Sequence, residues 1–190
     1  MKKITFLFIF ISLFLTLSVF GQETTFNKGD KVLNIGIGLG GRYYSGTGYS
    51  TTVPPISASL EFGVADGLAG GKGSFGVAPY IGYTASKYKY SPNVDWGYNY
   101  SSTVVGLRGA FHYALASKLD TYLGLMLGYN IVSAKEYGAN GTGIVYSASS
   151  SGFAWDGFLG ARYYFTPKFG AFLELGYGIG YGNLGVAIKL

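Results

Sequence analysis

From residue 31 onward, apolar side chains alternate with small or polar ones at a period of two, the repeat of a β-strand. Eight stretches carry the alternation: residues 31–41, 55–64, 74–86, 98–113, 119–132, 151–164, 168–178 and 181–190. The fifth is the most regular. Leu119, Thr121, Leu123, Leu125, Leu127, Tyr129 and Ile131 fall on one side, and Asp120, Tyr122, Gly124, Met126, Gly128 and Asn130 on the other. In the first stretch Leu33, Ile35, Ile37 and Leu39 oppose Asn34, Gly36, Gly38 and Gly40. A soluble β-sandwich or a lipocalin-like barrel would need a polar exterior, which none of the eight stretches supplies. Each is roughly the ~9–11 residues that a tilted strand needs to cross a bilayer. No sheet edge can stay unpaired in hydrocarbon, so a spanning sheet must close. The pattern therefore predicts an all-β chain: an eight-stranded antiparallel up-and-down transmembrane β-barrel, apolar outside and polar within.

An eight-stranded interior is just wide enough for side chains to fill. That accounts for glycine at 32 of 190 residues: many inward positions must be small, with Tyr80, Tyr122 and Phe172 filling the gaps. Pro79 has no amide donor and is expected at a bulge or a strand end. The connectors alternate in length. Residues 42–54, 87–97 and 133–150 read as long loops, and 65–73, 114–118 and 165–167 as short turns. Short periplasmic turns and long outer loops are the habit of outer-membrane barrels, which places both termini in the periplasm. The join at Ile179-Gly180 should be an outer loop but reads as a tight hairpin. Tyr43, Tyr44, Tyr88, Tyr90, Tyr98 and Tyr100 are expected to form an outer headgroup-level belt, and Tyr113, Tyr163, Phe165 and Phe169 a periplasmic one.

Ahead of the strands, Met1-Lys2-Lys3 is basic and residues 4–20 carry no charge. Gly21 follows, and then the polar run Gln22-Glu23-Thr24-Thr25. This reads as a secretory signal cleaved after Gly21, leaving residues 22–190 as the barrel domain. A retained helix is the alternative, and the run is at the short end of the ~17–25 residues it would need.

Composition narrows the chemistry. Charged residues are 12% and aromatics 18% of the chain, the reverse of a disordered composition. There is no cysteine, hence no disulfide, thiolate zinc site, thiol nucleophile or lipoprotein anchor. The net charge is +5, and losing Lys2 and Lys3 with the leader lowers it by two, leaving too small an excess to suggest nucleic acid as a partner. With one histidine and acids spread over separate strands, no metal site or cofactor is expected. The run from Gly36 to Gly41 lacks the spacing and the following helix of a nucleotide loop.

Seven charges face inward: Glu61, Arg108, Arg162 and Glu174 near mid-strand, with Asp120, Asp156 and Lys189 nearer the ends. A closed lumen holds unpaired charge only at high cost, so these should pair as a salt-bridged plug. A gated ion path with exchanging partners is the functional alternative, which would make the protein a small pore. His112 reads as interior polar filler. Its other reading, by resemblance to eight-stranded outer-membrane barrels that hydrolyse lipid A with a His, a Ser nucleophile and a carboxylate, is a lipid A-modifying enzyme, with Ser102 and Ser117 the serines nearby in sequence. A carrier of lipids or small hydrophobes would need an opening between strands. The loops are rich in Tyr, Ser, Gly and Asn, a composition that suits adaptable recognition of a surface ligand.

The chain resembles the small outer-membrane β-barrels of Gram-negative bacteria, the porin-family or outer-membrane-protein β-barrel domain. The likeness spans most of residues 22–190. It is most specific over LDTYLGLMLG, from Leu119 to Gly128, and GFLGARYYFTPKFGAFLELGYG, from Gly157 to Gly178. The leader ending in Phe20-Gly21-Gln22 is similar to those of the Bacteroidetes. The resemblance implies a monomer in outer-membrane lipid, inserted by the barrel-assembly machinery. It also implies a structural or adhesin-like role rather than an enzyme. Members usually end in an aromatic residue, whereas this chain ends in Leu190.

Overall fold

The computed structural model describes residues 25–91, 94–138 and 151–190. The expected leader, its cleavage point and most of the loop at 133–150 lie outside the described residues. The eight strands are β1 (Lys31–Gly41), β2 (Tyr49–Gly67), β3 (Gly73–Ser91), β4 (Val94–Ala116), β5 (Leu119–Tyr137), β6 (Gly152–Tyr164), β7 (Phe169–Gly176) and β8 (Gly180–Lys189). Each pairs antiparallel with its sequence neighbour, and β1 closes the ring on β8 from Val32↔Lys189 to Gly41↔Gly180. A short helical turn, α1 (Leu68–Gly71), joins β2 to β3.

The period of two decides what each side chain meets. On β6, Phe153, Trp155, Leu159 and Tyr163 are exposed, while Ala154, Asp156, Phe158 and Arg162 are buried. The exposed set repeats on every strand and includes Leu107 at 68% and Phe153 at 71% exposure. No part of the described chain covers them. The interior is filled. Tyr80, Val104, Ala110, Tyr122, Met126, Ala154, Phe158 and Ile179 form one buried cluster. Phe26, Val32, Phe172 and Ala187 form a second. Glycine makes this filling possible: a Cβ at Gly160 would lie 2.5 Å from the Tyr122 ring.

Three expectations are corrected. Pro79 sits at neither a bulge nor a strand end. It lies mid-β3 opposite Leu107 in unbroken register with β4. On the β2 side the paired residues pass from Ser59↔Tyr80 to Phe62↔Val77 without a shift, skipping Pro79 itself. The ladder absorbs the missing donor as a local gap. The second correction concerns strand length. β2, β3 and β5 are 19 residues long and β4 is 23, against 8 for β7 and 10 for β8. Residues 49–54, 133–137 and most of 87–97, expected as loop, are strand. Residues 87–91 alternate tyrosine with lysine and serine, and residues 49–54 are mostly polar, so a search for apolar faces passes over both. β1 pairs with β2 no further than Ile37↔Ile56, and β6 with β5 no further than Asn130↔Gly152. The ends of β2 to β5 therefore project beyond their neighbours as a four-stranded sheet. Register shifts around Val53, beside Pro54 and Pro55, mark where β2 leaves the barrel wall.

The third correction concerns the outer belt. Tyr88, Tyr98 and Tyr100 continue the inward faces of β3 and β4, in phase with buried Ser86 and Ser102. The aromatics that do face outward at the loop end are Tyr129, Phe153, Trp155, Tyr177 and Tyr181. At the end bearing the termini, Tyr163, Phe165 and Phe169 are exposed as expected. The β7–β8 join is the tight hairpin that the sequence suggested, three residues from Tyr177 to Ile179.

Candidate functional site

The lumen charges sort into two layers. The layer nearer the termini is a closed ring. Pairing sets Asp120 directly opposite Arg162 on the next strand, and His112 opposite Tyr122. Arg162 Nη1 donates to Asp120 Oδ2 at 3.0 Å and Nη2 to Glu61 Oε2 at 2.6 Å. His112 spans the same two carboxylates, with Nδ1 2.9 Å from Asp120 Oδ1 and Nε2 3.0 Å from Glu61 Oε1. Both acceptors are carboxylates, so both ring nitrogens serve as donors, the arrangement of an imidazolium. Two cations and two anions then balance inside a ring where Arg162 is 1% exposed.

The second layer is a pair reaching across the barrel. Arg108 Nη2 donates to Glu174 Oε2 at 2.5 Å, and Tyr122 Oη donates to the same oxygen at 3.3 Å. The Arg108 guanidinium lies 3.8 Å from the Phe158 ring centroid. Between the layers is a cavity of about 10 Å³ lined by residues including Asn34, Glu61, Arg108 and Arg162, room for about one water. Among the described residues, Asn34 Oδ1 and Arg162 Nε have no hydrogen-bond partner.

The seven residues expected in one network are thus divided. Glu61, Asp120 and Arg162 share the ring, and Arg108 and Glu174 form the cross-barrel pair. Asp156 joins neither. It is buried near the loop end and accepts the Tyr177 amide at 2.6 Å. Lys189 lies at the terminal rim, 2.7 Å from Asp30. His112, read as filler, is the member the sequence undervalued, because two carboxylates on different strands converge on it only once the ring has closed.

The sequence also missed a stopper. Phe26 is 1% exposed and stacks on His112 at a centroid distance of 4.2 Å. Its carbonyl accepts Ser74 Oγ at 2.6 Å. Behind it, the Gly29 amide donates to Gly63 O and the Gly63 amide to Asp30 O, each at 2.9 Å. Gly63 has to be glycine for this approach: a Cβ there would meet Asn27 O at 2.0 Å. Lys189 Nζ completes the clamp on Thr25 O at 3.3 Å. The available signal was one aromatic residue isolated among polar ones just before the first strand.

The inner face of the projecting sheet carries a ladder of rings. Neighbouring centroids are 4.8 Å apart for Tyr49–Tyr88, 5.0 Å for Tyr44–Tyr100, 6.0 Å for Tyr98–Tyr100 and 5.2 Å for Tyr90–Trp96. Of these, Tyr49–Tyr88 and Tyr90–Trp96 are cross-strand pairs, which hold a sheet together, Tyr98 and Tyr100 follow one another on β4, and Tyr44 stacks from the segment between β1 and β2. Trp96 Nε1 donates to Glu136, and Tyr44 Oη shares a hydrogen bond with Ser102 Oγ at 3.1 Å. Burial pushes the Tyr44 and Tyr100 hydroxyls above the ordinary tyrosine value, so they remain protonated. On the opposite face Lys87 Nζ lies 3.8 Å from the Tyr137 centroid.

His112 has both nitrogens engaged by carboxylates, and Ser102 bonds with Tyr44. Neither this serine nor exposed Ser117 is set to be activated by the imidazole, so the hydrolase arrangement is not assembled.

No family model matches the chain, and no curated protein matches it. Solved structures do resemble it. One is Ail, the attachment invasion locus protein of Yersinia pestis, in complex with the heparin analogue sucrose octasulfate. It is 12% identical, covers 85% of this chain and 96% of that one, and has a TM-score of 0.49. The N-terminal β-barrel domain of OprF from Pseudomonas aeruginosa is 16% identical over 86% and 98% of the two chains, with a TM-score of 0.42. Neisserial surface protein A is 16% identical over 85% and 93%, with a TM-score of 0.41. The closed eight-strand ring rests on the strand pairing above rather than on these likenesses.

Proposed function

We propose that the chain is a monomeric outer-membrane barrel with its termini in the periplasm. In this reading it has no conducting path and serves to hold a tyrosine-lined sheet at the cell surface for contact with a surface ligand. One observation carries this reading: a continuous belt of exposed apolar side chains encloses a filled lumen, while four strands project past the belt at one end. An exposed apolar surface of that extent calls for an apolar solvent. One chain closes the ring by itself, so no second copy is needed to satisfy an edge. The stacked charge layers and the Phe26 stopper favour a structural lumen over a pore. Insertion by the barrel-assembly machinery is part of the proposal.

Bacteria displaying the full chain should attach to epithelial monolayers above the level of vector-only cells. Replacing Tyr49, Tyr88 and Tyr100 with serine should reduce attachment at equal surface abundance. Attachment that never exceeds the vector level, or that the triple replacement leaves unchanged, overturns the surface-contact role.

A further inference from the structure

The outward wall carries a concavity among the described residues. Across β4 to β7 most outward positions are large, but Thr121 and Ala161 lie opposite one another on β5 and β6. They form the floor of a groove of about 590 Å³, walled by Tyr113, Leu123, Leu159 and Leu173. Thr121 contributes little polarity, because its hydroxyl donates to Tyr113 O at 2.6 Å. An apolar trough in a lipid-facing wall fits an acyl chain.

Charge identifies the headgroup. The rim at the terminal end carries Lys28, Lys31, Lys72, Lys118, Lys168 and Lys189, against Asp30 and Asp66. Two of these lysines neighbour groove residues along the backbone. Lys118 is three residues from Thr121 in the β4–β5 turn. The Lys72 carbonyl accepts the amide of Ala114 at 3.1 Å, next to groove residue Leu115. Neither lysine has an ion-pair partner among the described residues. Basic groups beside an apolar cleft are the arrangement that holds anionic lipid headgroups.

We infer that this groove binds one anionic phospholipid of the periplasmic leaflet, its acyl chain over Thr121 and Ala161 and its phosphate against Lys72 and Lys118. The inference rests on the membrane reading and goes beyond general lipid contact by naming the strands, the leaflet and the headgroup charge.

Native mass spectrometry of the refolded full chain, with dioleoyl phosphatidylglycerol or dioleoyl phosphatidylcholine added, tests it. One phosphatidylglycerol should remain bound under conditions that strip phosphatidylcholine. Filling the groove with T121L/A161L should weaken that retention at least tenfold, and K72Q/K118Q should abolish the preference between the two lipids. A heat-dependent shift on gel electrophoresis reports folding. Should the double leucine variant not fold, A161V is the smaller filling and should weaken retention in the same sense. Equal retention of both lipids, retention unchanged on filling, or a lipid-free dimer that filling disrupts would each overturn the site. Flotation with vesicles reads the membrane proposal separately: failure to float overturns both, whereas flotation with equal lipid retention overturns the lipid site alone.

Discussion

Arg162→Met removes the guanidinium, whose carbon lies 5.1 Å from the Tyr122 ring centroid and 6.0 Å from that of Phe26, while keeping a side chain of similar length. Two carboxylates, Glu61 and Asp120, then share only His112, and both are buried. Stripping one partner from a buried ion pair costs about 3–5 kcal/mol, because the remaining charge is left without compensation. His112 still bridges both acids, which holds the expected loss within that range although two acids are affected. At 1.4 kcal/mol per factor of ten, the folding equilibrium should fall by roughly two to three and a half orders of magnitude. The assay is urea unfolding of protein refolded into phospholipid vesicles, followed by tryptophan fluorescence. The triple variant R162M/E61Q/D120N neutralises the stranded acids and should recover more than half of the loss. K168M, a change at an exposed turn lysine, should stay within about 0.5 kcal/mol of the wild type. A loss under about 1 kcal/mol for R162M, or a loss that neutralising both acids leaves in place, would refute the ring as a buried, mutually dependent unit.

Other consequences follow from the same geometry. Phe26→Ala should cost about 3–5 kcal/mol, the range for emptying a buried aromatic site, and should expose residues 25–30 to proteolysis with the strands intact. Gly63→Ala should produce the same proteolytic signature, because its Cβ would collide with the Asn27 carbonyl; protection equal to the wild type would contradict the clamp. Leu125→Arg, on the exposed face of β5, should destabilise the barrel in vesicles by about 2–4 kcal/mol. A neutral result there would mean that Leu125 faces water.

Much of this arrangement was readable in the chain because β5 states its own geometry. From Leu119 to Ile131 every second residue has one character, so strand, face and span emerge together. The individual inward charges were legible for the same reason. Their partners were not. Asp120 and Arg162 are neighbours on adjacent strands, but Arg108 on β4 meets Glu174 on β7 across the lumen, and Glu61 reaches Arg162 from β2. Such contacts depend on ring closure and stagger, which no single segment encodes. The projecting sheet was missed because its segments are mostly polar or, at residues 87–91, set tyrosine against polar residues. Phe26 was missed because it belongs to no periodic segment: the site it fills is built by Gly63, Ser74 and His112, all distant in sequence.

Nitroxide scanning along β5, from residue 120 to 130 in phospholipid vesicles, addresses the central claim most directly. Collisions with oxygen report hydrocarbon, and collisions with a nickel chelate report water. Labels at 123, 125, 127 and 129 should be open to oxygen and shielded from nickel, while labels at 122, 124, 126 and 128 should be shielded from both. Nickel access at the odd positions would show a wall facing water, and nickel access at the even ones an open, wet lumen; either result would contradict a closed barrel in a membrane.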